Sequence, residues 1–263
     1  MAVKLAGHCW VRDMREGVPA LNGTTKIWQQ IGKKIGAEAI CLRVIEFGPG
    51  IAPGIRNESC DEVLYFLEDE SEIGKESPRS TIYIDGWARQ VGPQTGIYLA
   101  PGSTLTVENL GQAPVVFISS RCPEPQGGPL FVDPLTTPSS ETITERPAPF
   151  VALTDRPTIR TGNRWYRVLV DEQVGSRQVT QFVGSIPPGR APDHFHNYEE
   201  VLFILRGEGL MWADNSSAPL RRGSCVYLPK QQVHCVENIG TDELRLLGVF
   251  YPAGSPSVRY DVE

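Results

Sequence analysis

The sequence predicts an all-β protein built from two copies of one β unit. Short runs of β-branched and aromatic residues, bounded by Gly, Pro or Asn, recur through the whole chain. No long stretch shows the 3.6-residue apolar period of an amphipathic helix. The 26 Gly and 22 Pro residues among 263 supply the many turns that short strands need. Antiparallel strands with such frequent turns indicate a sandwich or a barrel.

The two halves of the chain carry the same signals in the same order. The first half contains TKIWQQIG, AICLRVIEFGPG, DEVLYFLED and GIYLAPGSTLTVENLG. The second contains GNRWYRVLV, QVTQFVGSIPPG, EEVLFILRG and SCVYLPKQQVHCVENIG. The matched positions include Gly50 with Gly189, Glu62 with Glu200, and Asn109 with Asn238. Agreement over four segments indicates an internal duplication.

A proline-rich segment separates the two copies. Seven prolines lie between Cys122 and Phe150, a composition typical of a linker. We therefore expect an N-terminal barrel over residues 1–122, a linker over 123–150 and a C-terminal barrel over 151–263.

Composition excludes several classes of partner. The net charge of −6 and the pI near 5.4 argue against a nucleic-acid surface. No apolar run is long enough to cross a membrane, and the first residues lack the pattern of a signal peptide, so a cytoplasmic protein is expected. The six scattered cysteines, none in a C-x-x-C pair, predict reduced thiols.

Two of the four histidines are one residue apart in PPGRAPDHFHNYEEVLFILRG, residues 187–207. Side chains two residues apart on a strand point to the same side, so His194 and His196 can present both imidazoles to one point. Glu200 has the same parity and can add a carboxylate from the next strand. The three residues predict a metal site, although a bare His-x-His is also common at the polar edge of a strand.

A fourth ligand has to come from elsewhere, and the remaining histidines are His8 and His234. His234 is the candidate, because it follows a proline turn and its strand could lie opposite the first pair in a closed barrel. Three imidazoles and one carboxylate leave one or two coordination positions open. That set suits one divalent transition metal, namely Fe, Mn, Ni, Co or Zn.

The histidine segment resembles the first motif of the cupin superfamily. That motif runs Gly, His-x-His, Glu, Gly, and is matched here by Gly189, His194, His196, Glu200 and Gly207. The resemblance implies two tandem cupin barrels, each a double-stranded β-helix or jelly roll.

The second cupin motif, Gly-x5-Pro-x-Gly-x2-His-x3-Asn, is matched later in the chain. The matching residues are Gly223, Pro229, His234 and Asn238, with Gln231 in place of the second glycine. By this resemblance the metal ligands are His194, His196, Glu200 and His234. The departure at Gln231 affects only the local turn.

The first half lacks this ligand set. Ile55 to Glu58 stand where the histidines would be, and Leu105 stands where His234 would match. The resemblance therefore covers nearly the whole chain as a bicupin whose metal motif is intact only in the C-terminal cupin. The N-terminal barrel is expected to be structural, regulatory or interface-forming.

The resemblance implies an enzyme that acts on a small chelating organic substrate. A dioxygenase-type oxidoreductase is the first hypothesis, because the run HFHNYEE resembles that of the dioxygenase-type cupins. The alternatives are a metal-dependent hydrolase, isomerase or lyase, such as a bicupin similar to the ureidoglycine aminohydrolases, and a non-enzymatic small-molecule binder. A dimer or other homo-oligomer stays open.

Catalytic residues beyond the ligands are not defined by the sequence. Five residues flank the predicted ligands and are candidates for orienting a substrate or transferring a proton: Arg190, Asp193, Tyr198, Tyr227 and Gln232.

Overall fold

The computed structural model describes residues 2–68, 80–138, 149–257 and 260–261. Within them the regular structure is almost entirely antiparallel β, which confirms the predicted fold class. In the described part of the chain, three short 3-10 turns span Ala6–His8, Lys33–Ile35 and Leu153–Asp155.

The strands before the second copy are β1 (Val3–Lys4), β2 (Trp10–Asp13), β3 (Ala20–Asn22), β4 (Thr25–Ile31), β5 (Cys41–Phe47), β6 (Gly50–Ile51), β7 (Gly54–Arg56), β8 (Asp61–Phe66), β9 (Ser80–Ile84), β10 (Trp87–Val91), β11 (Thr95–Leu99), β12 (Thr104–Asn109), β13 (Val115–Cys122) and β14 (Leu130–Val132). Those that follow are β15 (Phe150–Ala152), β16 (Ile159–Thr161), β17 (Arg164–Val170), β18 (Thr180–Ile186), β19 (Gly189–Arg190), β20 (His194–Phe195), β21 (Glu199–Arg206), β22 (Glu208–Ala213), β23 (Ser216–Arg221), β24 (Ser224–Leu228), β25 (His234–Asn238), β26 (Leu244–Tyr251) and β27 (Tyr260–Asp261).

The described strands form four sheets, two for each barrel. Sheet I has the order β15-β11-β8-β13-β5-β4-β3, and sheet II has the order β10-β9-β12-β7-β14, with β6 beside β12. Sheet III has the order β1-β2-β24-β21-β26-β18-β17-β16, and sheet IV has the order β23-β22-β25-β20-β27, with β19 beside β25. Sheets I and II enclose one apolar core and sheets III and IV another, so each barrel is a jelly roll.

The two barrels share a third core between sheets I and III. Alternate residues of each strand point away from their own barrel and pack on the facing sheet. From sheet I these include Leu42, Val44 and Tyr65, and from sheet III they include Val201, Phe203 and Leu247. The apolar contact between the barrels is therefore continuous rather than a thin linker contact.

Each barrel also receives a strand from the segment that precedes the other. Strand β2 lies before the N-terminal barrel but pairs with β24, and β15 follows the proline-rich segment but pairs with β11. Strand β14, inside the predicted linker, pairs with β7. The boundaries at residues 122 and 151 stay a prediction, and residues 139–148 of the linker lie outside the described residues.

The duplication extends to individual hydrogen bonds. The Asn109 side-chain amide donates to the carbonyls of Phe47 and Ala113, at 3.1 and 2.8 Å. The Asn238 amide donates to the carbonyls of Ile186 and Asp242, at 2.9 and 2.7 Å. Since two separate turns are held in the same way, the repeat predicted from the sequence is a repeat of structure.

Two buried carboxylates join the barrels, and the first is Glu199. It accepts hydrogen bonds from the backbone N–H groups of Glu38, Ala39 and Ile40, at 2.5, 2.9 and 3.1 Å. The Tyr227 hydroxyl donates a fourth at 2.6 Å. A carboxylate of the C-terminal barrel thus satisfies a loop of the N-terminal barrel with charge-assisted bonds.

Asp61 makes the reciprocal contact. It accepts from the backbone N–H groups of Arg177 and Gln178, at 2.7 and 2.8 Å, and from the Tyr98 hydroxyl at 2.7 Å. Asp61 precedes Glu62 as Glu199 precedes Glu200, so the pair is related by the repeat.

All six cysteines are free and buried. Among the residues that the structure describes, no helix has both the length and the apolar character to cross a membrane.

Candidate metal centre

Three of the predicted ligands come together on sheet IV. Strands β20 and β25 are antiparallel neighbours with His194 directly opposite His234, and His196 follows two residues after His194. The ring centroids are 4.6 Å apart for His194 and His234, 4.9 Å for His194 and His196, and 5.1 Å for His196 and His234. One nitrogen from each ring lies within 4.8 Å of the other two.

Backbone carbonyls fix the tautomers of two of these rings. The Nδ1 of His194 is 3.0 Å from the carbonyl oxygen of Pro192, and that of His234 is 2.8 Å from the carbonyl oxygen of Gln232. A carbonyl oxygen only accepts, so each Nδ1 carries the proton and each Nε2 keeps its lone pair. A hydrogen bond at Nδ1 of this kind fixes the tautomer and the ring orientation in which Nε2 can bind a metal.

Glu200 lies beside His196, at the start of β21, and its carboxylate is not part of the group of three imidazole nitrogens that lie within 4.8 Å of one another. The residue is 5% exposed, and its carboxylate is 3.9 Å from Nε2 of His196. Burial raises the pKa of Glu200 to about 8. Burial also lowers the pKa of His234 to about 4, with the nearby His194 adding to the shift. A cation placed among these groups would favour the ionised carboxylate and the neutral imidazole.

The donor set therefore fits a divalent transition metal. Three neutral imidazole nitrogens and one carboxylate oxygen are ligands of that class, and the fixed tautomers reduce the reorganisation that binding requires. The assignment of these four residues as ligands stays a prediction.

The cluster lies at one wall of a cavity of about 150 Å³. A cavity needs only roughly 10–15 Å³ to hold one water, so this one is much larger than a single water site. Most of the wall is apolar and includes Phe182, Ile186, Leu202, Leu228, Val236 and Leu246. The site can thus hold a small organic molecule next to the histidines.

Polar groups also line this cavity. They include Arg164 and Tyr166 on β17 and Tyr198 beside the histidines. Tyr198 stacks on His196 at 4.4 Å between ring centroids and on Phe250 at the same distance. This stack fixes the plane of the His196 ring against the barrel core.

Of the five flanking candidates, Tyr198 alone lines the cavity. Tyr227 points between the barrels and donates to Glu199. The Gln232 side chain donates to Asp214 and to the Val233 carbonyl, at 3.1 and 2.8 Å.

Arg190 and Asp193 form a surface ion pair at 3.2 Å, away from the cavity lining. The sequence analysis missed Arg164, Tyr166 and Phe182. Their strands carry signals of the repeat but no ligand motif, and only the closed barrel brings them to the histidines.

The equivalent place in the N-terminal barrel has no histidine. Ile55 and Leu105, at the positions of His194 and His234, are buried in the apolar core of that barrel. Asn57 is buried and donates to the carbonyls of Cys60 and Leu99, at 2.7 and 3.1 Å. These residues make structural contacts at the place where the other barrel gathers its imidazoles.

Comparison with known proteins agrees with the fold and the motifs. The cupin domain family matches residues 182–250, which contain both histidine segments. Protein SchB of Streptomyces halstedii is 32% identical over 108 residues, which are 40% of this chain and 78% of that protein. The chain therefore belongs to the cupin superfamily.

Other similarities are shorter or concern structure alone. Protein MJ1618 of Methanocaldococcus jannaschii is 41% identical over 54 residues, 20% of this chain and 43% of that protein. An oxalate-binding protein of Thermotoga maritima is 32% identical over 66 residues, 24% of this chain and 54% of that protein. A mutant of Bacillus subtilis oxalate decarboxylase superimposes with a TM-score of 0.73 at 14% identity, over 96% of this chain and 79% of that chain. At that identity the likeness concerns the bicupin fold.

Proposed function

We propose that this chain is a metal-dependent bicupin enzyme that acts on a small chelating organic substrate. One divalent transition metal would be held by His194, His196, His234 and Glu200. The observation that carries the proposal is the convergence of three imidazoles, two with their Nε2 lone pairs fixed, on a cavity large enough for a small molecule.

When bound, such a metal supplies Lewis acidity and, if it is redox-active, dioxygen chemistry. The residues of the chain position the substrate. Arg164 supplies a cation in the cavity lining that can bind an anionic group, and Phe182 and Leu246 pack on an apolar body. The apolar wall also limits the access of water, which strengthens polar interactions inside the cavity.

Dioxygenase-type oxidation is the reaction class we favour. The predominantly apolar wall suits a keto-enol or phenolic compound, which has an apolar body to pack on it, better than a small dianion such as oxalate, which has none. The second candidate is a lyase reaction. It is supported by the structural likeness to oxalate decarboxylase and by the similarity to an oxalate-binding protein.

Reconstitution followed by substrate screening tests this proposal. Metal-free protein would be loaded with Fe(II) without oxygen, or with Mn(II), because one matched structure concerns the Mn(II) centres of the decarboxylase. It would then be assayed with diketones, flavonols, phenolics and oxalate. Oxygen consumption supports the dioxygenase reaction. Carbon dioxide release from oxalate without oxygen uptake would contradict the dioxygenase and support the lyase reaction.

Two variants make the assay specific. His234→Ala should abolish turnover, while His8→Ala, which alters an exposed histidine that does not line the cavity, should keep it. A ligand-induced rise in Tm without turnover for any substrate would instead indicate a non-enzymatic binder and contradict the proposal.

A further inference from the structure

The interior of the N-terminal barrel is charged where that of the C-terminal barrel is aromatic. Arg43 is four residues before the end of β5, as Phe182 is in β18. Arg121 is the last residue but one of β13, as Phe250 is in β26. The two arginines therefore occupy the positions of two phenylalanines that pack beside the histidine cluster.

The first arginine is paired with the counterpart of Glu200. Arg43 donates through Nη2 to the Glu62 carboxylate at 2.5 Å, and both residues are 1% exposed. The Ser119 hydroxyl bridges them, since it accepts from Arg43 at 3.0 Å and donates to Glu62 at 2.6 Å. The Arg43 guanidinium thus neutralises Glu62, the counterpart in this barrel of the predicted ligand Glu200.

Among the described residues, the second arginine shares the Glu62 carboxylate and has no separate one. Arg121 is 6% exposed and lies opposite both Glu62 and Cys41 in the register of the sheet. Among the described residues, Glu62 forms an ion pair with Arg43 but has no nitrogen of Arg121 within 4.0 Å. Burial raises the pKa of Cys41 above its usual range and that of Cys60 to about 12, so both neighbouring thiols are neutral.

Both guanidinium groups have donors without partners. Within the described part of the chain, Nη1 of Arg43 and Nε of Arg121 are buried and make no hydrogen bond. Two buried cations therefore face one carboxylate, and at least two N–H donors are unused. A buried charge and buried donors without partners both destabilise the native state, so the arrangement favours the binding of one negative charge that accepts hydrogen bonds.

We propose that the N-terminal barrel binds a small monovalent anion between Arg43 and Arg121. The shared chemistry is a single negative charge on a compact acceptor, which a halide or a small monocarboxylate such as formate would supply. This site is separate from the histidine cluster and does not depend on the proposed enzymatic function.

Thermal unfolding of the whole protein tests the proposal. After dialysis into gluconate, the protein would be returned at equal ionic strength to chloride, bromide, formate or acetate. A bound anion should raise Tm by at least about 2 °C. A shift with halides alone identifies a halide site, and one with formate or acetate alone identifies a carboxylate site; either supports the proposal.

A matched pair of variants separates this site from general salt effects. Arg121→Phe installs the residue of the other barrel and should remove the anion-dependent shift, whereas Arg206→Gln, on the surface, should keep it. Equal Tm values in all five salts, or a shift that persists in Arg121→Phe, would overturn the proposal.

Crystallography of the wild-type protein decides the question even if Arg121→Phe does not fold. Crystals would be soaked in bromide or in formate, whichever anion shifts Tm. Anomalous density for bromide, or planar density for formate, beside Nη1 of Arg43 and Nε of Arg121 supports the site. Only water at that place would overturn it.

Discussion

Replacement of Glu200 by glutamine should stabilise the metal-free protein and weaken metal binding. The two effects have one cause, because a buried carboxylate is costly to ionise without a cation. The native group has a pKa of about 8, against an ordinary value of 4.5. Between these pH values the native state holds one proton more than the unfolded state.

The sign and size of the pH effect follow from this difference. The contribution of Glu200 to the free energy of unfolding decreases as pH rises from 4.5 to 8, by about 1.4 kcal/mol per pH unit. At pH 7 the free energy of unfolding of the wild type is therefore about 3 kcal/mol lower than near pH 4 on account of Glu200. A glutamine at this position stays neutral and causes no such decrease. Glu200→Gln should match the wild type near pH 4 and exceed its stability by about 3 kcal/mol at pH 7.

Urea unfolding of metal-free wild type and Glu200→Gln between pH 6.5 and 8 measures this difference. His234, whose pKa is lowered from 6.5 to about 4 in the native state, is present in both proteins, so its contribution to the pH dependence cancels in their difference. When the same urea unfolding is repeated with bound metal, the wild type should be the more stable of the two proteins. A stability difference that does not change with pH, or a variant less stable than the metal-free wild type, would refute the reasoning.

Three further predictions concern the frame around the site. Glu199→Ala leaves three backbone N–H groups without their acceptor and should lower the free energy of unfolding by about 3–5 kcal/mol, measured by urea unfolding. Gln231 has a φ of 61°, so Gln231→Gly should raise Tm, because the left-handed conformation costs about 1–2 kcal/mol outside glycine. Gly248→Ala would place a Cβ 2.3 Å from the Phe182 ring and should cost about 1–3 kcal/mol, measured by urea unfolding.

Each of these predictions has a clear counter-result. A loss below about 1 kcal/mol for Glu199→Ala would mean that the contact between the barrels does not depend on this carboxylate. A lower Tm for Gln231→Gly would mean that the side chain contributes more than its backbone strain costs. Unchanged stability in Gly248→Ala would show that the Phe182 ring can move without loss.

Several features of the fold were accessible from the sequence because they are local. The His-x-His spacing sets two side chains on one face of a strand, and the structure places His194 and His196 beside His234. The substitution at Gln231 was expected to affect only a turn. The residue does adopt the glycine-like conformation, and its N–H donates to the His196 carbonyl at 2.7 Å.

Other features depend on which surfaces meet, and no local pattern encodes that. Nothing in the segment around Trp10–Asp13 indicates that it completes a sheet of the C-terminal barrel. The roles of Asp61 and Glu199 likewise arise from loops of the opposite barrel. Arg43 and Arg121 are far apart in sequence, and only the register of β5, β8 and β13 brings both toward Glu62.

Elemental analysis of protein purified without a metal-affinity tag tests the central claim most directly. One transition-metal ion per chain is expected in the wild type and in His8→Ala, and much less than one in His194→Ala and His234→Ala. The folded state of each variant would be checked by circular dichroism. No stoichiometric metal in the wild type, even after reconstitution, or full metal content in both site variants, would contradict a metal centre at these histidines.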